Sequence, residues 1–103
     1  MPGVPDVLLC DEDGNFHFVE LKATAGRAVE LRPHQVAFMC NHAHASVWVL
    51  VMKKKTKNLP QMVYLYPGNA AMDLKMEGLE VEPLYHAEGD PDWETIFDLI
   101  SPR

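Results

Sequence analysis

Apolar residues fall in short runs along the chain, and the runs change spacing from one stretch to the next. Residues 4–10 (VPDVLLC) and 16–22 (FHFVELK) read as two strands. The polar DEDGN between them is hairpin-turn chemistry, so the two strands are predicted to pair antiparallel. After the loop ATAGRAVEL, which contains Gly26, a helix opens at Pro33 and runs to about residue 44. Proline is tolerated at the first helical position. Val36, Met39, Cys40 and Ala43 recur at i, i+3, i+4 and i+7, which gives that helix one buried face. Residues 46–52 (SVWVLVM) are almost continuously apolar, the pattern of a central strand covered on both faces.

The second half continues with a strand at 61–66 (QMVYLY) and a short helix over 67–76, begun after Pro67 and Gly68. Residues 79–85 (LEVEPLY) are predicted as an edge strand, because Pro83 has no N–H for a central ladder. DPDWETIFDLI closes the chain as an amphipathic helix. Asp90 or Asp92 caps it, and Trp93, Ile96, Phe97 and Ile100 form its apolar stripe. No repeat, linker or low-complexity segment interrupts these elements. The predicted fold is α/β, a single domain over residues 1–103 with a mixed sheet of about four to five strands and flanking helices.

Composition narrows the picture. The 48% hydrophobic content suits one real core, and no stretch approaches the ~20 apolar residues of a membrane span. The N-terminus lacks the layout of a secretion signal, so a cytoplasmic setting is expected. Cys10 and Cys40 each lie in an apolar segment and are read as reduced, buried thiols rather than a disulfide. The net charge of −6 argues against nucleic acid until its distribution is considered. Residues 1–57 hold seven Lys/Arg against six Asp/Glu, whereas residues 58–103 hold two against nine. A neutral-to-basic face can therefore be built from the first half.

The two leading strands carry charge where a core strand should carry Val or Leu: Asp6 in one, Glu20 and Lys22 in the other. Alternation along a strand sets Glu20 and Lys22 on one face with Phe16 and Phe18, and the hairpin brings Asp6 beside them. Two carboxylates held that close repel unless a cation lies between them. Hard oxygen ligands with room left for water suit Mg²⁺ or Mn²⁺ bound together with a phosphate. The plainer alternative is a structural Asp6–Lys22 ion pair with Glu20 facing solvent on an edge.

The ordered trio GVPD (3–6), FVELKA (18–23) and LRPHQ (31–35) resembles the PD-(D/E)XK nuclease superfamily, and more narrowly its VRR-NUC branch, related to Holliday junction resolvases. The resemblance covers about the first half of the chain. It implies a restriction-endonuclease-like core in which Asp6, Glu20 and the backbone carbonyl of Leu21 bind Mg²⁺ or Mn²⁺. Lys22 is then the catalytic lysine, and Gln35 reaches into the site from the first turn of the helix. It further implies a metal-dependent endonuclease acting on DNA, with branched DNA and the four-way junction first, and a homodimer for two symmetric cuts. Single-domain versions of the family suggest a bacterial or phage-infected host. The alternatives are a nicking or restriction-type nuclease and a non-catalytic DNA-binding module with the same fold.

The family's pattern also has a helix before the Gly-x-Pro-Asp strand that supplies a further acidic residue, and here Met1 stands two residues before Gly3. The site is expected to run on Asp6 and Glu20 alone, or to be completed by the closing helix or a second subunit. Lys53, Lys54, Lys55 and Lys57 are expected to grip a phosphate backbone, with Arg27 and Arg32 as weaker candidates beside the site loop. A zinc site on Cys40, His42 and His44 is disfavoured, because His42 points away from the helical face that the other two share. His34 is read as a surface histidine, and Trp93 with Phe97 as core or dimer contact.

Overall fold

The computed structural model describes residues 3–42 and 44–102. Five strands, β1 (Val7–Cys10), β2 (Phe16–Thr24), β3 (Val47–Lys53), β4 (Met62–Pro67) and β5 (Tyr85–Glu88), form one sheet in the order β1-β2-β3-β4-β5. The pairing is mixed: β1 and β2 are antiparallel, β2 and β3 parallel, and the remaining pairs antiparallel. Helix α1 (Pro33–Asn41) makes the crossover that the parallel pair requires. The others are α2 (Ala71–Glu77), entered through a 3₁₀ turn at Gly68–Ala70, and α3 (Trp93–Ile100).

Central β3 separates two apolar clusters. On one face Val47, Val49 and Val51 pack with Val36 and Met39 of α1, Leu74 of α2 and Tyr66 of β4. On the other, Leu50 packs with Val19, Val63, Leu65 and with Ile96 and Ile100 of α3. Burying one such aliphatic side chain contributes about 1.5–3 kcal/mol, which makes β3 the anchor of both layers. The Tyr66 hydroxyl, buried in the first cluster, donates to the Val81 carbonyl at 2.9 Å. Desolvation pushes its pKa up to about 12, so it stays a donor.

Several boundaries differ from the sequence reading. β1 begins at Val7, because Pro5 lacks an N–H for the ladder and Asp6 sits in a bend. β2 continues to Thr24, since β3 pairs with it to its end. α1 ends at Asn41, and Ala43, assigned to its buried face, lies outside the described residues. Cys40, assigned to the same face, is exposed, and so is Cys10; both are free thiols, not buried ones. Only Val36 and Met39 of α1 are fully buried.

The strand predicted over 79–85 is displaced: Gly78–Glu80 is a 3₁₀ turn, and the edge strand starts at Tyr85, beyond Pro83. In α3 the buried stripe is Ile96 and Ile100, with Leu99 packed beside them. Trp93 and Phe97 are 45% and 50% exposed and stack on each other, so they are not core. The Asp92 side chain caps the helix through Thr95 N–H, as expected of one of the two candidate aspartates.

Candidate functional site

The hairpin register decides which charges meet. Val7 faces Val19, and one more step along the same register sets Asp6 opposite Glu20. The Asp6 carboxylate accepts from the Leu21 N–H at 3.2 Å, which pins the end of β1 to β2. Phe18, Glu20 and Lys22 project from one face of β2, toward α1.

Glu20 is 2% exposed, in a strand with neighbours on both sides, so the reading of a solvated edge residue fails. Its Oε2 takes the Lys22 ammonium at 3.2 Å and the Gln35 amide at 3.0 Å. The partner recorded for Lys22 is therefore Glu20, not Asp6. Gln35 Oε1 accepts from Lys22 Nζ at 3.1 Å and from the Arg32 backbone N–H at 2.9 Å. The last contact is one arm of a helix cap; Arg32 cannot supply the other, because a guanidinium has no acceptor. One glutamine thus ties the start of α1 to both charges on β2.

Glu20 Oε1 is buried without a hydrogen-bond partner. Desolvation raises the pKa of this carboxyl, the Lys22 ammonium opposes that, and the nearby Asp6 carboxylate raises it further. An orphaned buried oxygen beside a second carboxylate is a place that a cation would satisfy. The N–H and C=O of one strand residue face the same edge, so the Leu21 carbonyl points where its N–H meets Asp6. The residue opposite in register is Pro5, which has no N–H to give it. Two carboxylates and a carbonyl are hard oxygen donors and fit Mg²⁺ or Mn²⁺. Among the described residues no group of three or more His, Cys, Asp and Glu comes together for a metal, so water and ligand oxygens would fill the remaining positions. At the end of α1, His42 stacks on Phe38, with Nδ1 2.7 Å from the Phe38 carbonyl.

Gly3, the first residue of the GVPD stretch, has φ +86° and lies against α1, where a Cβ would run into the His34 carbonyl. Glycine is what lets the chain entering β1 approach α1 and deliver Asp6.

The basic residues divide. Lys53 pairs with Thr24 at the carboxyl ends of the two parallel strands and shares the face of Lys22. Lys54, Lys55 and Lys57 are exposed in the segment that follows. Arg27 is drawn to Glu80 at 2.8 Å and to the Leu79 carbonyl at 2.9 Å, away from the carboxylates. Arg32 lies with Lys22 on the wall of a cleft of about 830 Å³ next to the site. Lys75 of α2 lines that cleft too, and no motif pointed to it; only the fold brings residue 75 beside residues 22–33.

A second polar cluster on the opposite sheet face also went unread. His17, 7% exposed, places Nε2 2.9 Å from Asp11 Oδ2 and Nδ1 2.6 Å from Ser46 Oγ. Trp48 Nε1 donates to Ser46, and the Ser101 hydroxyl donates to Asp11. These bonds hold the Asp11 carboxyl well below the usual carboxylate range. The adjoining cavity, about 590 Å³, is lined by His17 and Asp11 but not by Ser46, so the cluster reads as a tie between the hairpin, β3 and the chain end.

No family model, curated protein or solved structure matches the chain. No helix among the described residues is long and apolar enough to cross a membrane.

Proposed function

We propose that this chain is a metal-dependent endonuclease that hydrolyses DNA phosphodiester bonds. The observation that carries the reading is the meeting of Asp6, Glu20, Lys22 and Gln35 at one end of the sheet, around a buried carboxylate oxygen with no partner. Asp6, Glu20 and the Leu21 carbonyl are the groups that would hold Mg²⁺ or Mn²⁺. Such an ion, when bound, polarises the phosphodiester and lowers the pKa of a coordinated water.

The chain's own residues supply the rest. Lys22, anchored by Glu20 and Gln35, presents its ammonium to an incoming phosphate and offsets the charge that grows on it in the transition state. Gln35 keeps that ammonium in place, so little reorganisation accompanies the reaction. The resemblance to VRR-NUC and junction-resolving nucleases supports a branched substrate, a homodimer for paired cuts, and a cytoplasmic setting in a bacterial or phage-infected cell.

A second reading has its own observation. With no third acidic ligand gathered among the described residues, the chain is alternatively a DNA-binding module that keeps the fold without cutting. Incubating four-way junction, flap and linear duplex DNA with Mn²⁺ or Mg²⁺ separates the two. Cleavage of branched DNA, abolished by Asp6→Ala and by Lys22→Ala, supports the enzyme. Equal cutting of linear duplex points to a nicking or restriction-type nuclease, and binding without cutting to the module.

A further inference from the structure

The cleft beside the carboxylates has a charge unlike that of the rest of the molecule. Its walls carry Lys22, Arg32 and Lys75 against Glu30 alone, in a chain of net charge −6. Lys22 is neutralised by Glu20. Arg32 and Lys75 form no ion pair among the described residues, and Lys53, on the same face beside Thr24 of the cleft wall, forms none either. Lys75 reaches from α2 across to the Leu31 carbonyl at 2.6 Å, which uses one of its three donors and leaves two for a ligand. Arg32, at the start of α1, and Lys75 of α2 are brought to one cleft by the fold, and Lys53 stands at its edge, opposite Thr24 in register.

The size of the cleft limits what it admits. About 830 Å³ lies within the ~300–1,000 Å³ range of small-ligand sites, enough for a short stretch of one strand, whereas a duplex would rest on the rim. The cleft opens at the carboxyl ends of the parallel strands β2 and β3, where open α/β sheets receive ligands. We infer that this cleft binds a single-stranded DNA segment next to the carboxylates, with Lys75, Arg32 and Lys53 as its phosphate contacts. The inference deepens the endonuclease reading and rests on it for DNA as the ligand.

The test is binding measured without chemistry. Fluorescence anisotropy in EDTA, at about 50 mM salt, compares a fluorescein-labelled oligo-dT with a blunt duplex of equal length. The single strand is expected to bind at least ~10-fold tighter, with log affinity falling against log salt at a slope of about −2, some −0.7 per phosphate contacted. Lys75→Ala is expected to weaken single-strand binding about 3- to 10-fold and to flatten the slope by about 0.7, with Lys75→Arg restoring both. Arg32→Ala gives the same readout should the Lys75 change disturb folding. Equal or tighter duplex binding, or folded variants with unchanged single-strand affinity and slope, overturns the inference. The two readings fail separately: selective cleft binding with no cutting in Mn²⁺ sinks only the nuclease, and Mn²⁺-dependent cutting with Lys75 and Arg32 irrelevant to single-strand affinity sinks only the cleft.

Discussion

Gln35 Nε2 donates to Glu20 Oε2 at 3.0 Å, joining the first turn of α1 to a buried carboxylate on β2. The same side chain accepts from Lys22 and from the Arg32 backbone, so the helix start and the charged face of β2 are fixed together.

Gln35→Ala removes that tie. The single-turnover cleavage rate is expected to fall ~10- to 100-fold, while DNA affinity in EDTA changes less than twofold. That split marks a positioning residue. The lost hydrogen bonds are expected to cost about 1–2 kcal/mol, read from denaturant unfolding. Equal losses in rate and affinity would contradict the assignment.

Glu20 carries a testable sign. Its pKa in the folded protein is raised, mainly by desolvation, so ionisation works against folding in the absence of a cation. The group's contribution is fully present below its unfolded value and is lost as pH rises through the folded one. Glu20→Gln is therefore expected to remove this loss in the cation-free protein, read as a melting temperature that depends less on pH above neutrality than that of wild type. In wild type, Mn²⁺ should raise the melting temperature, with uptake weakening as pH falls through the Glu20 pKa. Asp6→Asn should abolish that rise. A Mn²⁺ shift of wild-type size in both variants would mean that the ion binds elsewhere.

Gly3→Ala and Gly78→Ala test two close approaches of backbone. Both glycines have positive φ, and a Cβ would run into the His34 carbonyl at one and the Arg27 carbonyl at the other. Each substitution is expected to cost about 1–3 kcal/mol in thermal or denaturant unfolding. Only Gly3→Ala should also weaken Mn²⁺ binding, since that glycine stands in the segment that delivers Asp6.

Asp11 governs the acid limb on the other face. Its folded pKa is depressed, first by the Ser101 hydroxyl and then by His17. Its contribution is complete above the unfolded value of 3.8 and is lost as pH falls toward the folded one. The melting-temperature gap between wild type and Asp11→Ala is expected to start narrowing as pH falls below about 3.8 and to go on narrowing toward the depressed folded value. A gap of undiminished size well below pH 3.8 would show that another interaction carries it.

The hairpin, the crossover helix and the central strand were legible because each rests on local signals: a DEDGN turn, Pro33 at a helix start, and an apolar run with no alternation. The meeting of Asp6, Glu20 and Lys22 followed from register and strand alternation, which the sequence carries directly. Cys40 misled, because helical spacing assigns residues to a stripe but not to the part of it that a neighbour covers. As core residues Trp93 and Phe97 fail for the same reason: α3 turns Ile96 and Ile100 to the sheet, and the aromatic flank stays outside. Lys75 and the His17 cluster could not be read, since they depend on contacts across 44 and 29 residues that no local pattern encodes.

Strand β2 presents unlike chemistry on its two sides: Glu20 and Lys22 on one, His17 and Val19 on the other. Sliding it by a single residue would exchange the two sides, burying the wrong partners throughout. The molecule locks this alignment at both ends, with Asp6 on the Leu21 amide and Asp11 on His17. Insertions and deletions should therefore be tolerated within the 12–14 bend and be ruinous between 17 and 22. A length change of one residue there would discard the reactive cluster and the acid-sensitive clasp in the same stroke.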